Sequence, residues 1–190
     1  MTKYKVNFIN SSYRRFYQQH KKEILAAFDR CASKGDFMLR DETRKFEKKL
    51  AEYVGTKYAV AVNSGTDALF LSLKALGIGA GDEVITVSHT FIATIQAIVH
   101  CGATPILVDV GEDGLMDIDK AIAAITPKTV AILPVHLSGK VCDLERLTEK
   151  MLEKNRHLYI IEDAAQALGG KRNGVNAGSF GITGCFSFNF

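Results

Sequence analysis

The fold class follows from one stretch, EVITVSHTFIATIQAIVHCGATPILVDV, which spans residues 83–110. Its two ends, EVITVS (83–88) and TPILVDV (104–110), are short runs of apolar and β-branched residues. The part between them, TFIATIQAIVHCG (90–102), has the apolar spacing of a helix. Nearly continuous apolar runs are typical of strands that are covered on both faces, so the stretch predicts two parallel strands joined by a crossover helix.

The same alternation of strand and helix continues on both sides of this stretch. Further strands are predicted at 58–64, 129–136, 157–163 and 182–188, and further helices at 65–77, 116–126 and 142–155. Two amphipathic helices, at 10–33 and 41–53, come first in the chain. We therefore expect an α/β fold with a mainly parallel sheet, organised as an N-terminal helical segment at 1–54 and a large α/β domain at 55–190.

The composition is that of an ordinary globular protein, with 47% hydrophobic and 24% charged residues among 190. The net charge of +3 gives no reason to expect a nucleic acid partner, and no apolar run approaches the roughly 18 residues of a membrane span. The four cysteines, Cys31, Cys101, Cys142 and Cys185, show neither a C-x-x-C pair nor a zinc spacing. They are expected to be free thiols in a reducing cytoplasm.

Ligands bind beyond the carboxyl ends of the strands in such a sheet, so the residues that follow each strand are the candidates for a site. After the strand at 58–64, the sequence Ser64-Gly65-Thr66-Asp67 leads directly into a helix. Small residues at a helix N-terminus leave backbone N–H groups open to an anion, which indicates a phosphate seat. An ordinary serine or threonine N-cap is the alternative, and the segment by itself favours that alternative.

Two other strand ends carry an aromatic ring and a pair of carboxylates. Phe91 follows one strand and could stack on a flat ligand, although a position in the core is the simpler interpretation. Glu162 and Asp163 end the apolar run at 157–163, where a buried carboxylate is costly unless it meets a cation. A salt bridge within the protein is the alternative, but no positive residue follows closely in sequence before Lys171.

A flat, phosphorylated and cationic heteroaromatic molecule matches all three strand ends, and pyridoxal 5′-phosphate (PLP) is such a molecule. A carboxylate beside its pyridine nitrogen would keep that nitrogen protonated and make the ring an electron sink. A dinucleotide fits less well, since no G-x-G-x-x-G sequence follows the first predicted strand. The strand ends together therefore favour a PLP site.

Several stretches resemble the DegT/DnrJ/EryC1/StrS family of sugar aminotransferases, which have the fold-type-I architecture of PLP enzymes. They follow the family's order and spacing from about residue 37 to the end, and they are FEKKLAEYVGTKYAVAVNSGTDAL, LGIGAGDEVITVSHTFIAT, GATPILVDV, ITPKTVAILPVHLSG, IIEDAAQALGG and GCFSF. The chain departs from the family at Ser138, where an aromatic residue is common, and at Arg40, where glycine is common. The resemblance implies the strand order 3-2-4-5-6-7-1, counted along the chain.

The resemblance implies which residues would hold the cofactor's phosphate. The backbone at Gly65, Thr66 and Asp67 would bind it, together with the hydroxyl of Thr66. Ser187, in the F-S-F motif, would add a second hydroxyl.

The resemblance also implies contacts to the cofactor's ring. Phe91 would stack on the pyridine ring, and Gln166 would reach its phenolic oxygen. Asp163 would bind the ring nitrogen and is the predicted catalytic carboxylate. The family's reaction takes an amino group from an amino acid, usually L-glutamate, and gives it to a keto sugar, usually a nucleotide-linked 3- or 4-keto-6-deoxy sugar and sometimes a cyclitol. A cytoplasmic homodimer, with each site between two subunits, is implied as well.

In this family the lysine that binds the cofactor covalently stands five residues beyond the serine of F-S-F. That position is 192, two residues past Phe190, so we expect the chain to be the N-terminal portion of a protein about twice as long. The strand at 58–64 would then lack its neighbour, the seventh strand. Two alternatives to the aminotransferase stay open, a PLP-dependent sugar 3-dehydratase with histidine in place of this lysine, and a non-catalytic PLP-binding or regulatory homologue.

Overall fold

The computed structural model describes residues 10–35, 37, 40–154 and 156–189. The chain divides into two compact units between Lys49 and Leu50. The first unit contains α1 (Asn10–Lys34) and most of α2 (Asp41–Val54), which match the two predicted amphipathic helices. Residues 1–9 of the predicted helical segment lie outside the described residues, and the predicted boundary between the segment and the α/β domain stays a prediction.

The second unit is built on a parallel sheet with crossover helices. Its remaining helices are α3 (Gly65–Ala75), α4 (Ile92–His100), α5 (Ile118–Ala123) and α6 (Leu144–Glu153). Its strands are β1 (Glu83–Val87), β2 (Thr104–Val108), β3 (Thr129–Leu133), β4 (Tyr159–Asp163), β5 (Lys171–Arg172), β6 (Val175–Asn176) and β7 (Thr183–Cys185). The five-stranded sheet has the order β2-β1-β3-β4-β7, and β5 and β6 form a small antiparallel hairpin.

This sheet confirms the α/β fold that the sequence predicts. Each pair of neighbouring strands in the five-stranded sheet is parallel. Counted as the sequence analysis counts them, the strands stand in the order 3-2-4-5-6, which is the expected order without strands 7 and 1. Apart from the strand at 58–64, each predicted strand and crossover helix is longer than the observed one, since a sequence pattern does not define where hydrogen bonding stops.

The core lies on both faces of the sheet. Four consecutive residues of β1, from Val84 to Val87, are buried, as expected of a strand that has helices above and below it. Leu73 of α3, Ile98 of α4 and Leu147 of α6 are each fully buried against it. Each such side chain stabilises the fold by about 1.5–3 kcal/mol relative to an exposed one. Among the described helices, none combines the length and the apolar composition that crossing a membrane requires.

The first predicted strand, at 58–64, is wrong for this structure. No regular structure is assigned there, and Tyr58 and Val60 are 73% and 78% exposed. A strand is defined by its hydrogen-bonded neighbour, and within the described residues no strand pairs with this segment. The segment has the apolar, β-branched composition of a strand, but composition alone does not supply a partner strand.

Candidate functional site

A cavity of about 470 Å³ lies at the carboxyl end of the sheet. Its walls come from the segment before α3, the start of α4, the end of β4 and the segment after β7. Six of the seven predicted site residues line it, namely Gly65, Thr66, Phe91, Asp163, Gln166 and Ser187. The fold therefore brings together residues that are up to 122 positions apart, from Gly65 to Ser187.

The N-terminus of α3 forms the first wall, and its N-cap interpretation is confirmed. Ser64 is the N-cap, and its Oγ accepts a hydrogen bond from the backbone N–H of Asp67 at 3.0 Å. Asp67 is not among the residues that line the cavity, and its N–H is engaged by the cap. Gly65 and Thr66 do line the cavity, so the first turn is capped and also open to a ligand.

Gly65 is required where the segment after β7 meets α3. A Cβ atom added to Gly65 would lie 2.9 Å from Cβ of Ser187, closer than side-chain contacts normally allow. The missing side chain lets the Ser187 hydroxyl stand beside the first turn of α3. Backbone N–H groups, a helix N-terminus and a hydroxyl thus share one small space, which suits a phosphate group.

Phe91 stands at the N-terminus of α4 and is 70% exposed, so its interpretation as a core residue is wrong. Its ring forms part of the cavity wall. An exposed aromatic ring beside a cavity offers an apolar face to a flat ligand. His89, two residues earlier, is exposed and is not among the lining residues.

Asp163 ends β4 and is 5% exposed. Its Oδ2 accepts a hydrogen bond from Thr94 Oγ1 at 2.7 Å, and its Oδ1 accepts one from the backbone N–H of Ala165 at 3.2 Å. Burial raises the pKa of Asp163 above its ordinary value, and these two donors offset the effect only in part. In the described part of the chain no lysine or arginine forms an ion pair with it.

The side chain of Gln166 is oriented by an unusual turn. The backbone N–H of Ser138 donates to Gln166 Oε1 at 2.8 Å. Ser138 has φ 55°, a left-handed conformation that is uncommon for a residue other than glycine. With Oε1 engaged as the acceptor, the Gln166 amide keeps its N–H₂ group as a donor for the cavity.

Sequence reasoning missed the pairing of Glu162, which stands next to Asp163. Glu162 and His136 are fully buried, and His136 Nε2 lies 2.8 Å from Glu162 Oε2. The backbone N–H of Cys142 donates to Nδ1 of the same ring, so the ring proton is on Nε2 and is donated to Glu162. The internal partner that the sequence left open therefore belongs to Glu162 and not to Asp163, and it is a hydrogen bond from a histidine ring rather than a salt bridge.

Glu162 also holds the loop that precedes β7. Its carboxylate accepts from the backbone N–H groups of Gly178, Phe180 and Gly181 at 2.7–2.8 Å. Gly178 in turn packs directly on Gly184 of β7, which leaves no room for a side chain at Gly184, and the Phe186 ring leaves none at Gly178. Because these hydrogen bonds and contacts hold the loop in place, they also fix the position of β7 and of the segment after it, which carries Ser187.

The residues of the cavity fit a ligand with an anionic group, a flat ring and a cationic nitrogen. The N-terminus of α3 and Ser187 can bind the anionic group, and Phe91 can stack on the ring. Asp163 can pair with the cationic nitrogen, because its buried carboxylate has no partner cation among the described residues. PLP has all three features.

The DegT/DnrJ/EryC1/StrS aminotransferase family model matches residues 18–190. GDP-perosamine synthase of Caulobacter vibrioides is 48% identical over 145 residues, which are 76% of this chain and 38% of that protein. A dTDP-3-amino-3,4,6-trideoxy-alpha-D-glucose transaminase of Micromonospora megalomicea subsp. nigra is 42% identical over 178 residues, 93% of this chain and 47% of that protein. The chain therefore spans less than half the length of these relatives.

A solved structure of a Streptococcus pneumoniae protein in its PLP form is similar to this chain. The TM-score is 0.75 and the identity 39%, over 79% of this chain and 42% of that one. The family is PLP-dependent.

Proposed function

The chain belongs to the DegT/DnrJ/EryC1/StrS aminotransferase family, and we propose that the whole protein is a PLP-dependent sugar aminotransferase. It would transfer the amino group of an amino acid, L-glutamate, to a keto group on a nucleotide-linked 3- or 4-keto-6-deoxy sugar during amino-sugar biosynthesis. The names of the two relatives, one a GDP-sugar enzyme and one a dTDP-sugar enzyme, support this substrate class.

The residues around the cavity support a specific assignment of PLP contacts. The phosphate would be held at Gly65, Thr66 and Ser187, whereas Asp67, which does not line the cavity and whose N–H donates to Ser64 Oγ, is left out of this set. Phe91 would cover one face of the pyridine ring.

The polar edge of the ring would meet two side chains. The Gln166 amide would donate to the phenolic oxygen, because Ser138 already occupies its carbonyl oxygen. Asp163 would hold a proton at the pyridine nitrogen. When bound, PLP supplies an electron sink for the transfer of the amino group.

The observation that carries this proposal is the position of Asp163. Its carboxylate is buried at the end of an apolar strand, two donors stabilise its charge, and no described residue neutralises it. A buried charge of this kind is stable when a cation comes to it, and a protonated pyridine nitrogen is such a cation. A purely structural carboxylate would have its hydrogen bonds completed within the protein, as its neighbour Glu162 has.

The lysine expected at position 192 stays a prediction. Ser187, Phe188 and Asn189 line the cavity, which supports a lysine a few residues later that reaches into the same space. A histidine at 192 would favour the sugar 3-dehydratase instead. If position 192 holds neither lysine nor histidine, the non-catalytic, PLP-binding or regulatory homologue is favoured. Sequencing through codon 192 therefore separates the three functions.

We propose a cytoplasmic homodimer as the working form. The four cysteines are free thiols, which supports a reducing compartment. The exposed apolar side chains of Phe91 and Ile92, beside the cavity, support a partner subunit over that edge. Sedimentation of the full-length protein as a fully active monomer would contradict the dimer.

The proposal is tested by Asp163→Asn in the full-length protein. We expect kcat to fall by about 10²–10⁴-fold, while part of the PLP binding remains, because the amide cannot hold the ring nitrogen protonated. The matched control is Asp119→Asn, which removes a carboxylate that is paired with Arg146 and Lys150 on the surface. Near-wild-type turnover of the Asp163→Asn variant would rule out the role of Asp163.

A further inference from the structure

A short chain of hydroxyl groups holds the Asp163 side chain. Thr94 Oγ1 donates to Asp163 Oδ2 at 2.7 Å, and Thr90 Oγ1 lies 2.7 Å from Thr94 Oγ1. A hydroxyl has one proton, and that of Thr94 is committed to the carboxylate, so Thr90 is the donor in the second contact. The two hydrogen bonds therefore run in one direction, from Thr90 to Thr94 and from Thr94 to Asp163. Hydrogen bonds linked in this way strengthen each other.

The hydroxyl of Thr94 differs from that of an ordinary helical threonine. In α6, Thr148 Oγ1 donates to the carbonyl of Leu144 one turn earlier, at 2.8 Å, which is the common arrangement. Thr94 lies in α4 and is 1% exposed, yet its proton crosses to a carboxylate 69 positions away in the chain. The buried residues around it on α4, Ala93 and Ala97, are apolar, so the helix itself does not require a hydroxyl at this position.

We infer that Thr94, supported by Thr90, is a positioning residue that fixes the rotation of the Asp163 carboxylate and favours its ionised form. The inference rests on the proposed function, because an ionised Asp163 is what holds the pyridine nitrogen of PLP protonated. Thr90 lies just before the N-cap of α4 and Thr94 lies in its first turn, and their hydroxyls are 2.7 Å apart. The same turn begins at Phe91, so one short segment orients both the ring wall and the carboxylate.

The electrostatic surroundings make this one donor important. Burial raises the pKa of Asp163, and the Thr94 hydroxyl is the largest of the effects that lower it, followed by the Ala165 N–H. The titratable groups that face it are Cys185 on the neighbouring β7 and His136, behind the strand, with the adjacent Glu162. Burial raises the pKa of the Cys185 thiol to about 12, so this group stays neutral at ordinary pH.

The test uses the full-length protein with one substitution at a time. Thr94→Val removes the hydroxyl and keeps the shape of the side chain, and Thr94→Ser keeps the hydroxyl. Thr90→Val removes only the second link of the chain. Thr148→Val is the control, since it removes a hydroxyl that bonds within its own helix.

The first measurement is the dissociation constant of PLP, determined by fluorescence titration from acidic to mildly alkaline pH. At pH 7 we expect Thr94→Val to bind PLP about tenfold more weakly, since it loses a hydrogen bond to a charged group. Its loss of affinity on acidification should also begin at a higher pH than in the wild type. Thr90→Val should shift in the same direction by less, and Thr94→Ser and Thr148→Val should match the wild type.

The second measurement needs no cofactor. Infrared difference spectroscopy of the protein labelled with ¹³C-aspartate follows the ionisation of Asp163, whose band is identified by its loss in Asp163→Asn. The carboxyl group should titrate at a higher pH in Thr94→Val than in the wild type, because the ionised form has lost a donor.

The outcomes separate this inference from the proposed function. A wild-type protein that binds no PLP contradicts the proposed function, and the infrared titration still decides whether Thr94 acts on Asp163. If Thr94→Val keeps the wild-type titration and the wild-type pH profile of PLP affinity, the inference is wrong. If Thr94→Ser loses affinity as Thr94→Val does, the methyl packing and not the hydroxyl is responsible, which is also a contradiction. Thr90→Val, at a half-buried site, carries the test if Thr94→Val does not fold.

Discussion

Glu162 and Asp163 are neighbours on one strand, yet they stand in opposite surroundings. Successive residues of a strand point to opposite faces of the sheet, so the two carboxylates share a backbone but not an environment. Both are almost fully buried. Glu162 faces a pinned loop and a histidine, whereas Asp163 faces the cavity. The difference between them lies in how many donors each carboxylate has.

The donors decide the direction in which each pKa moves. Burial raises the pKa of Glu162, but hydrogen bonds from His136 and from the backbone N–H groups of Gly181 and Gly178 outweigh it, so the pKa is lowered. At Asp163 burial outweighs the donors Thr94 and Ala165, so the pKa is raised. A buried carboxylate with a full set of donors is a structural element, and one with an incomplete set is ready for a cationic ligand.

The largest expected effect is the loss of stability in Glu162→Gln. The amide would place its own N–H₂ group against donors, either the His136 ring and Gly178 N–H or the N–H groups of Phe180 and Gly181. Buried donors without acceptors cost about 1–3 kcal/mol each, so we expect the free energy of unfolding to fall by about 3 kcal/mol or more. Urea unfolding of the full-length protein measures this change.

A matched control is Glu145→Gln. Glu145 is exposed and accepts a hydrogen bond from Asn173 Nδ2 at 2.7 Å, which the glutamine carbonyl can also accept. We expect this variant to stay within about 0.5 kcal/mol of the wild type. If both variants lose the same small amount, the loop before β7 is not held by Glu162.

The sheet and most of the cavity could be predicted from the sequence because they depend on local patterns. Runs such as 83–88 and 104–110 identify buried strands, and the right-handed crossover rule then brings the strand ends to one edge. Phe91 and Asp163 are predictable because Phe91 lies three residues beyond one such run and Asp163 ends another.

Pairings between distant residues could not be predicted in the same way. The sequence places Glu162 and Asp163 on opposite faces, but which of them receives a hydrogen bond from a side chain behind the sheet depends on His136, 26 residues away. The hydroxyl of Thr94 gave a weaker signal, a polar residue in an otherwise apolar stretch of helix, and its partner is 69 residues away. The segment at 58–64 has a clear strand pattern but forms no strand, because no neighbouring strand among the described residues pairs with it.

The comparison becomes sharper at acidic pH, where the two carboxylates have opposite effects. The lowered pKa of Glu162 contributes stability that is present above its ordinary value of 4.5 and is lost as the pH falls below it. The raised pKa of Asp163 has the opposite effect on stability. As the pH falls through it, protonation removes a charge that burial disfavours, so the folded state gains stability. We therefore expect Glu162→Gln to lose less stability than the wild type between neutral pH and about pH 4, and Asp163→Asn to lose more.

Unfolding in urea at a series of pH values measures these slopes on the apo protein. For each variant, the free energy of unfolding at each pH is compared with its value at neutral pH. The different stabilities of the variants at neutral pH therefore do not affect the comparison. Equal slopes in the two variants would mean that the carboxylates have similar surroundings, and the contrast between them would be withdrawn.

The smallest expected effect is that of Asp163→Asn on the apo protein at neutral pH. The asparagine carbonyl can still accept from the Ala165 N–H, and the Thr94 hydroxyl can rotate to accept from the new amide. No buried polar group is left without a partner, and a buried negative charge is removed, so the free energy of unfolding should rise by about 1 kcal/mol or less. The same variant is expected to lose turnover by orders of magnitude once PLP is bound, which would show that Asp163 is kept for its ligand at a small cost in stability. A loss of several kcal/mol in the apo protein would instead place Asp163 with Glu162, as a carboxylate that the fold itself requires.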